Sequence, residues 1–320
     1  MIENIAIIAI AFLSQLGVMS GVQNNPSNLL NRFIKEESVN ENIDFQKSNF
    51  AYYQNNLSTE KFLKPLPYRK NNGKVKINSE SAIAFDVGTD TVLYSKDSNK
   101  KLPIASLTKI MTAIVVLEKN DLNEIVTVSQ NALRVEGKKE GLTIGEKITV
   151  ESLLKMMFVS SNNIAATVLA EHTGGNSDDF VVLMNRKAEL LGLNDTVFYN
   201  PTGLDQENNN ISTAYDISQL VDYSLNSPLI WEYSRIQYIT LSSLDGKIKH
   251  RIKNTNFLLG KFENMTGGKT GYTDEAGECL LLITGEPKEN HRVITVVLNA
   301  EDRFLETERL VRLVFESYKW

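Results

Sequence analysis

The chain has 320 residues, enough to bury a sizeable core in one large domain or two smaller ones. Its composition, 42% apolar and 23% charged, is that of an ordinary globular protein, and a net charge of −5 without a dense basic block argues against a nucleic-acid partner. A single cysteine, Cys279, excludes a disulfide framework within the chain and argues against a thiolate metal cluster.

In chain order, residues 5–22, IAIIAIAFLSQLGVMSGV, come first. They are almost wholly apolar and uncharged, too uniform for one face of a surface helix. A signal-peptide core or a short membrane anchor is expected over 1–22, although Glu3 stands where Lys or Arg is usual, and a buried helix is the alternative. Export follows, with the chain secreted or held at the outer face of the membrane. Residues 23–77 are dominated by Asn, Lys, Glu and Ser and sustain no period, so they read as a polar spacer or arm.

From about 78 the pattern tightens. SAIAFDVGTDTVLYSKD predicts a hairpin around GTDT. SLTKIMTAIVVLEKN has apolar residues at helical spacing, so Ser106 is expected to open a helix. TVESLLKMMFVS and NNIAATVLAEHTGG predict two more helices with SSNN at their junction, and DDFVVLMNRKAELLGL a further one closed by glycine. In ISTAYDISQLVDYSL, Thr213 followed by Asp216 resembles a capping box with Asp in place of Glu. Beyond 235, RIQYITLS, KIKHRIKN, ECLLLITG and HRVITVVLNA predict strands, and RFLETERLVRLVFESYKW an amphipathic helix. Strands early and late with helices between them predict one α+β domain over 78–320. Its sheet is assembled from both ends of the chain, with a helical lobe inserted in the middle.

Three short signals carry chemistry: Ser106-x-x-Lys109, Ser160-Ser161-Asn162 and Lys269-Thr270-Gly271. Each is weak alone. Ser-x-x-Lys also occurs at Ser58/Lys61, Ser98/Lys101 and Ser152/Lys155; SSNN also fits a helix-to-helix turn, and GGKTG a tight turn entering a strand. Together they meet the demands of amide cleavage by a serine: a base, oxyanion donors, and an acid for the leaving amine. Burial and a second cation lower a lysine's pKa, so Lys109 among apolar neighbours can be the base and Lys269 the second cation. Ser160 can relay a proton, Asn162 can hold the substrate amide and the Lys109 side chain, and the N–H groups of Ser106 and Tyr272 can face the oxyanion.

Other chemistries fit less well. A phosphate loop would need glycine at 263, where Glu263 stands. Only His172, His250 and His291 are present, and no G-x-S-x-G elbow or H-E-x-x-H pair accompanies them. No metal or cofactor is called for.

The chain resembles the low-molecular-mass penicillin-binding proteins, the serine-type D-alanyl-D-alanine carboxypeptidases of peptidase family S11. The resemblance runs from about 78 to 320 and is carried by SLTKIMTA (106–113), GEKITVESLLKMMFVSSNNIAA (145–166), NPTGLD (200–205), STAYDIS (212–218), NTNFLLG (254–260) and GGKTGYTDEAGECLLL (267–282). It implies a β-lactamase/DD-peptidase-like fold, an antiparallel sheet flanked by helices with an inserted helical lobe. It implies Ser106 as acylated nucleophile, Lys109 as its base and Ser160 and Asn162 as the second motif. Lys269, Thr270 and Gly271 form the third, with Tyr272 as an oxyanion donor. Arg303 corresponds to a family arginine near the substrate's terminal carboxylate. Asn163 departs from a usual Asp and Glu278 from a common aromatic, neither in a core role. No second β-rich domain is expected after 320.

The activity implied is removal of the terminal D-Ala from peptidoglycan pentapeptide stems through an acyl-enzyme, with β-lactams as covalent inhibitors. A DD-endopeptidase cutting cross-links is the rival. A serine β-lactamase fits less well, because the string nearest its deacylating glutamate motif, ELLGLN at 189–194, is one residue too long. Intact Ser106, Lys109 and Lys269 argue against a non-catalytic penicillin-binding sensor that keeps the site without turnover.

Overall fold

The computed structural model describes residues 66–71, 75–135, 141–205, 207–285 and 291–320. All belong to one compact unit, residues 52–320. The apolar stretch 5–22 and most of the polar tract lie outside the described residues. Among those described, no helix is long and apolar enough to cross a membrane.

The core of the fold is a five-stranded antiparallel sheet. Its strands are β1 (Ser79–Asp86), β2 (Thr91–Lys96), β5 (Met265–Thr273), β6 (Gly277–Gly285) and β7 (Arg292–Ala300). Between them in sequence lies a separate hairpin, β3 (Tyr238–Ser242) with β4 (Lys249–Lys253). The sheet order is β5-β6-β7-β1-β2, so the two chain ends meet where β1 pairs with β7. Successive side chains of a strand point to opposite faces. Ile83, Phe85, Ile294 and Val296 accordingly pack toward the helical lobe, while Ala82, Ala84, Val293 and Val297 pack beneath Leu310 and Val314. Both faces are covered, which is why the central strands read as continuous apolar runs without alternation.

The helices are α1 (Lys109–Lys119), α2 (Val150–Val159), α3 (Asn163–Gly174), α4 (Ser177–Leu190), α5 (Ala214–Ser224), α6 (Pro228–Ser234) and α7 (Arg303–Ser317). Side-chain caps start most of them: Thr149, Asn162, Asn176, Thr213 and Asp302 each accept a main-chain N–H of the first turn. α1 is buried from Lys109 to Val116 and forms the axis of the helical lobe.

Three expectations are corrected in detail. Ser106 does not open an α-helix: Ala105–Thr108 form a 3-10 turn, and α1 starts at Lys109. The Thr213–Asp216 cap is only half a capping box. Asp216 accepts instead from the Asp195 N–H and the Thr196 hydroxyl, being one methylene too short to reach back. Lys269, Thr270 and Gly271, expected on a strand lining the site despite the turn-like string GGKTG, do lie on the edge strand β5, for which β6 supplies a long ladder of partners. Within the tract read as spacer, Tyr68–Arg69 pair with Tyr318–Lys319. The short helix α6 carries too few turns to show a period and went unpredicted.

Candidate active site

The site forms where the 3-10 turn, the α2–α3 junction, the loop 200–204 and the edge strand β5 converge. Ala105 (φ +45°) and Ser161 (φ +60°) both occupy the left-handed region, a conformation non-glycine residues adopt only where surrounding structure enforces it.

Lys109 is completely buried, and its Nζ lies 2.7 Å from Ser106 Oγ, 2.7 Å from Asn163 Oδ1 and 2.6 Å from the Thr202 carbonyl oxygen. An ammonium would donate to all three. A neutral amine would keep two N–H bonds, to Asn163 and Thr202, and turn its lone pair to the Ser106 hydroxyl, which then donates. The second arrangement is favoured electrostatically. Burial holds Lys109 well below lysine's ordinary pKa, and the positive charge of Lys269 lowers it further.

Lys269, equally buried on β5, donates to Ser161 Oγ at 2.7 Å and to the Thr270 carbonyl at 2.8 Å. Burial, then the nearby Arg303 guanidinium, push its pKa down to about 7. The Thr270 hydroxyl lies 2.6 Å from that of Thr255. Arg303 opens α7 and donates through Nη1 to the Gly271 carbonyl at 2.7 Å, while its backbone N–H donates to the Glu278 carboxylate. Position 271 is tight even for alanine, since a Cβ there would lie 3.1 Å from Ala105 Cβ and 3.2 Å from Ser106 N, and the turn would have to give by a few tenths of an ångström. The edge strand thus approaches the serine's main chain closely. Tyr272 extends this edge with its ring exposed and its hydroxyl donating to Asp274.

The second motif is displaced by one residue from its expected position. Ser160 ends α2, and its hydroxyl donates to the Met156 carbonyl one turn back rather than to a lysine. The left-handed turn at Ser161 then carries that hydroxyl to Lys269. Asn162, expected to hold Lys109, is the cap of α3 and accepts the Ala165 N–H. The contact with Lys109 belongs to Asn163. Two departures expected to be peripheral are therefore not: Asn163 touches Lys109, and Glu278 anchors the start of α7 beneath Arg303.

A further contributor has no side chain in the reaction. Asn200 accepts the N–H groups of Thr202 and Gly203 and donates to the Leu204 carbonyl, folding a tight loop that presents the Thr202 carbonyl to Lys109. Thr112 and Asn210 secure the loop to the lobe. NPTGLD signals such a loop in the sequence, but only its docking identifies the carbonyl. Gly203 sits at φ +79°, and a Cβ there would fall 1.8 Å from the Ala105 carbonyl oxygen. Gly203→Ala is expected to destabilise the chain by more than about 3 kcal/mol, with the thermal unfolding midpoint as the measurement.

Residues 68–302 match the family model described as Peptidase_S11, D-alanyl-D-alanine carboxypeptidase. The chain is 34% identical over 267 residues to the D-alanyl-D-alanine carboxypeptidase DacF of Bacillus subtilis, covering 80% of this chain and 68% of that protein. It is 36% identical over 212 residues to a D-alanyl-D-alanine endopeptidase of Pseudomonas aeruginosa, covering 65% and 68% respectively. Among solved structures, the ampicillin-bound form of Penicillin-Binding Protein D2 from Listeria monocytogenes superposes with a TM-score of 0.66 at 30% identity, over 76% of this chain and all of that one.

Proposed function

Because the chain belongs to the peptidase S11 family of D-alanyl-D-alanine carboxypeptidases, we propose that it removes the terminal D-Ala of peptidoglycan pentapeptide stems through an acyl-enzyme on Ser106. The observation that carries this reading is the buried Lys109 amine 2.7 Å from the Ser106 hydroxyl.

Neutral Lys109 takes the Ser106 proton as Oγ attacks the carbonyl carbon between the two D-Ala residues. The Ser106 and Tyr272 N–H groups face the developing oxyanion. The proton accepted by Lys109 then passes by way of the Ser161 hydroxyl, held by Lys269, to the leaving nitrogen, so that D-Ala departs and Lys109 is neutral again. Water, deprotonated by Lys109, then hydrolyses the ester. The terminal carboxylate is met by Lys269, the Thr270 hydroxyl and Arg303, a cationic corner suited to charge-assisted hydrogen bonds. A β-lactam, whose ring amide and carboxylate imitate the peptide's end, acylates the same serine.

Two lysines with opposed requirements imply a bell-shaped pH profile for kcat/KM. Lys109 must lose its proton, so the rate rises with pH through its lowered pKa. Lys269 must keep its proton to hold the carboxylate, so the rate falls as pH passes about 7 in the free enzyme. Penicillin acylation rates between about pH 5 and pH 10 check this, and Lys269→Arg should remove the falling limb.

The 36% identity to a protein named as an endopeptidase supports cleavage of cross-links as a second activity. Mass spectrometry of muropeptides before and after incubation tests both readings. Pentapeptides shortened to tetrapeptides indicate the carboxypeptidase, and dimers reduced to monomers the endopeptidase; neither change would overturn both. Such a substrate lies outside the cytoplasm, and the uncharged apolar run 5–22 supports export by a signal peptide or a membrane anchor. The catalytic domain then spans about 68–320, since Tyr68–Arg69 pair with its C-terminal strand and the family match begins at 68, and the polar tract before it is the arm.

A further inference from the structure

The hairpin of β3 and β4 stands apart from the main sheet as a two-stranded unit, so β4 has one edge without a partner strand. Among the described residues, 249–253 make main-chain bonds only within the hairpin. A cavity of about 680 Å³ is lined by every residue from 248 to 254. Successive side chains of a strand point to opposite faces, so a space touched by all of them runs along the free edge of β4. On the inner face His250 bonds the buried Glu146 at 2.6 Å and Ile252 joins the core, which fixes that edge in place. Of the cations on the outer face and its turn, Lys247 pairs with Asp245 and Lys253 lies over the Tyr238 ring. Lys249 and Arg251 are exposed and have no carboxylate partner among the described residues.

The cavity is also lined by Thr255 and Arg303, which touch the Thr270 hydroxyl and the Gly271 carbonyl of β5. That corner meets the carboxylate of the leaving residue. Ser106 and Tyr272, which flank the scissile carbonyl, do not line the cavity. It therefore continues the site on the leaving side of the scissile bond. The α-carbon of the leaving residue carries the scissile nitrogen, the carboxylate, a hydrogen and a side chain. With the nitrogen directed to Ser106 and the carboxylate to the corner, the side chain is the group left to enter the cavity. In a terminal D-Ala it is a methyl group, too short to reach β4. In a cross-link from D-Ala to diaminopimelate the same carbon also bears a carboxylate, and its side chain continues into a whole second stem. We propose that this cavity is the leaving-side subsite for that second stem. The free main-chain edge of β4 meets its amides, and Lys249 and Arg251 meet its carboxylates. The inference rests on the endopeptidase reading and names its substrate class, a cross-link that keeps a long, anionic acceptor peptide. Cations on an open strand also discourage edge-to-edge pairing of sheets. That role alone would leave substrate choice untouched.

The test uses the full chain and three substrates: a tetrapeptide dimer cross-linked from D-Ala to diaminopimelate, the same cross-link with the acceptor stem trimmed to diaminopimelate alone, and an uncross-linked pentapeptide. The wild type is expected to favour the whole dimer over the trimmed one by roughly tenfold or more in kcat/KM, the scale of two partly exposed ion pairs and one or two main-chain hydrogen bonds. The preference should sit in KM and shrink with added salt. In the K249Q/R251Q variant it should drop by about threefold or more, with D-Ala release from the pentapeptide and penicillin acylation unchanged. Should that variant fail to acylate, Arg251→Gln is read instead, expected to lose about twofold or more of the preference, with Arg251→Lys retaining it. Equal wild-type rates on the two cross-links, or a preference untouched by the substitutions, overturn the proposal while leaving the endopeptidase reading in place. Release of D-Ala from the pentapeptide with neither cross-link cut overturns the endopeptidase reading itself.

Discussion

Lys109→Met lowers both penicillin acylation and D-Ala release by about 10³-fold or more and leaves a folded chain. General-base assistance contributes about 10²–10⁴-fold, and among the described residues Lys109 is the only group hydrogen-bonded to the Ser106 hydroxyl. Methionine nearly matches lysine in length and volume and suits a site buried among Ile110, Met111 and Ala113. The substitution strands the Asn163 carboxamide oxygen and the Thr202 carbonyl, at a cost of about 1–3 kcal/mol each if water cannot reach them. It also removes the burden of a desolvated amine, which partly offsets that loss. The stability change is therefore small beside the rate change. Intact-mass kinetics of the β-lactam adduct, alongside a thermal melt, separate the two. Acylation within tenfold of wild type would remove Lys109 from the mechanism.

Ser161→Ala costs about 10²-fold or more in acylation and turnover, whereas Ser160→Ala stays within about threefold. Ser161 is the hydroxyl that Lys269 holds, and it alone of the pair can pass a proton between lysine and leaving nitrogen. Ser160 spends its hydroxyl on the Met156 carbonyl inside its own helix end. Losing such a back-bond changes little, because that carbonyl already accepts the Ser160 N–H. Asn163→Ala should resemble Ser161→Ala in size, and Asn162→Ala should instead lower the melting temperature by removing the α3 cap. The reverse ranking of the two serine variants would return the relay to Ser160.

Most of the architecture was legible because its signals are local. The hairpin at 79–96, helices α1 to α5, β6, β7 and α7 each announce themselves by a turn, a cap or an apolar period within their own residues. β5 did not, because Gly267, Gly268 and Gly271 give it little strand preference of its own. Its conformation comes from the ladder with β6 and from the closeness it must allow to Trp231, Leu282 and Ala105. The string SSNN is the sharper case. Ser160-x-Asn162 and Ser161-x-Asn163 satisfy the same spacing, and nothing local separates them. The choice is made by one left-handed residue at the end of α2, and that conformation is tolerated because α3 and Lys269 hold both sides of the turn.

By itself, the sequence determined which chemical groups are available and, through Ser106 and Lys109 three residues apart, that a hydroxyl and an amine adjoin. Only the tertiary structure decided what that amine is. Asn163, Thr202 and Lys269 lie 54, 93 and 160 residues further along the chain, and burial of Lys109 needs helices from across the lobe. A lysine's proton affinity depends on the water removed from around it and on the charges brought near it, and both are properties of packing rather than of neighbouring letters.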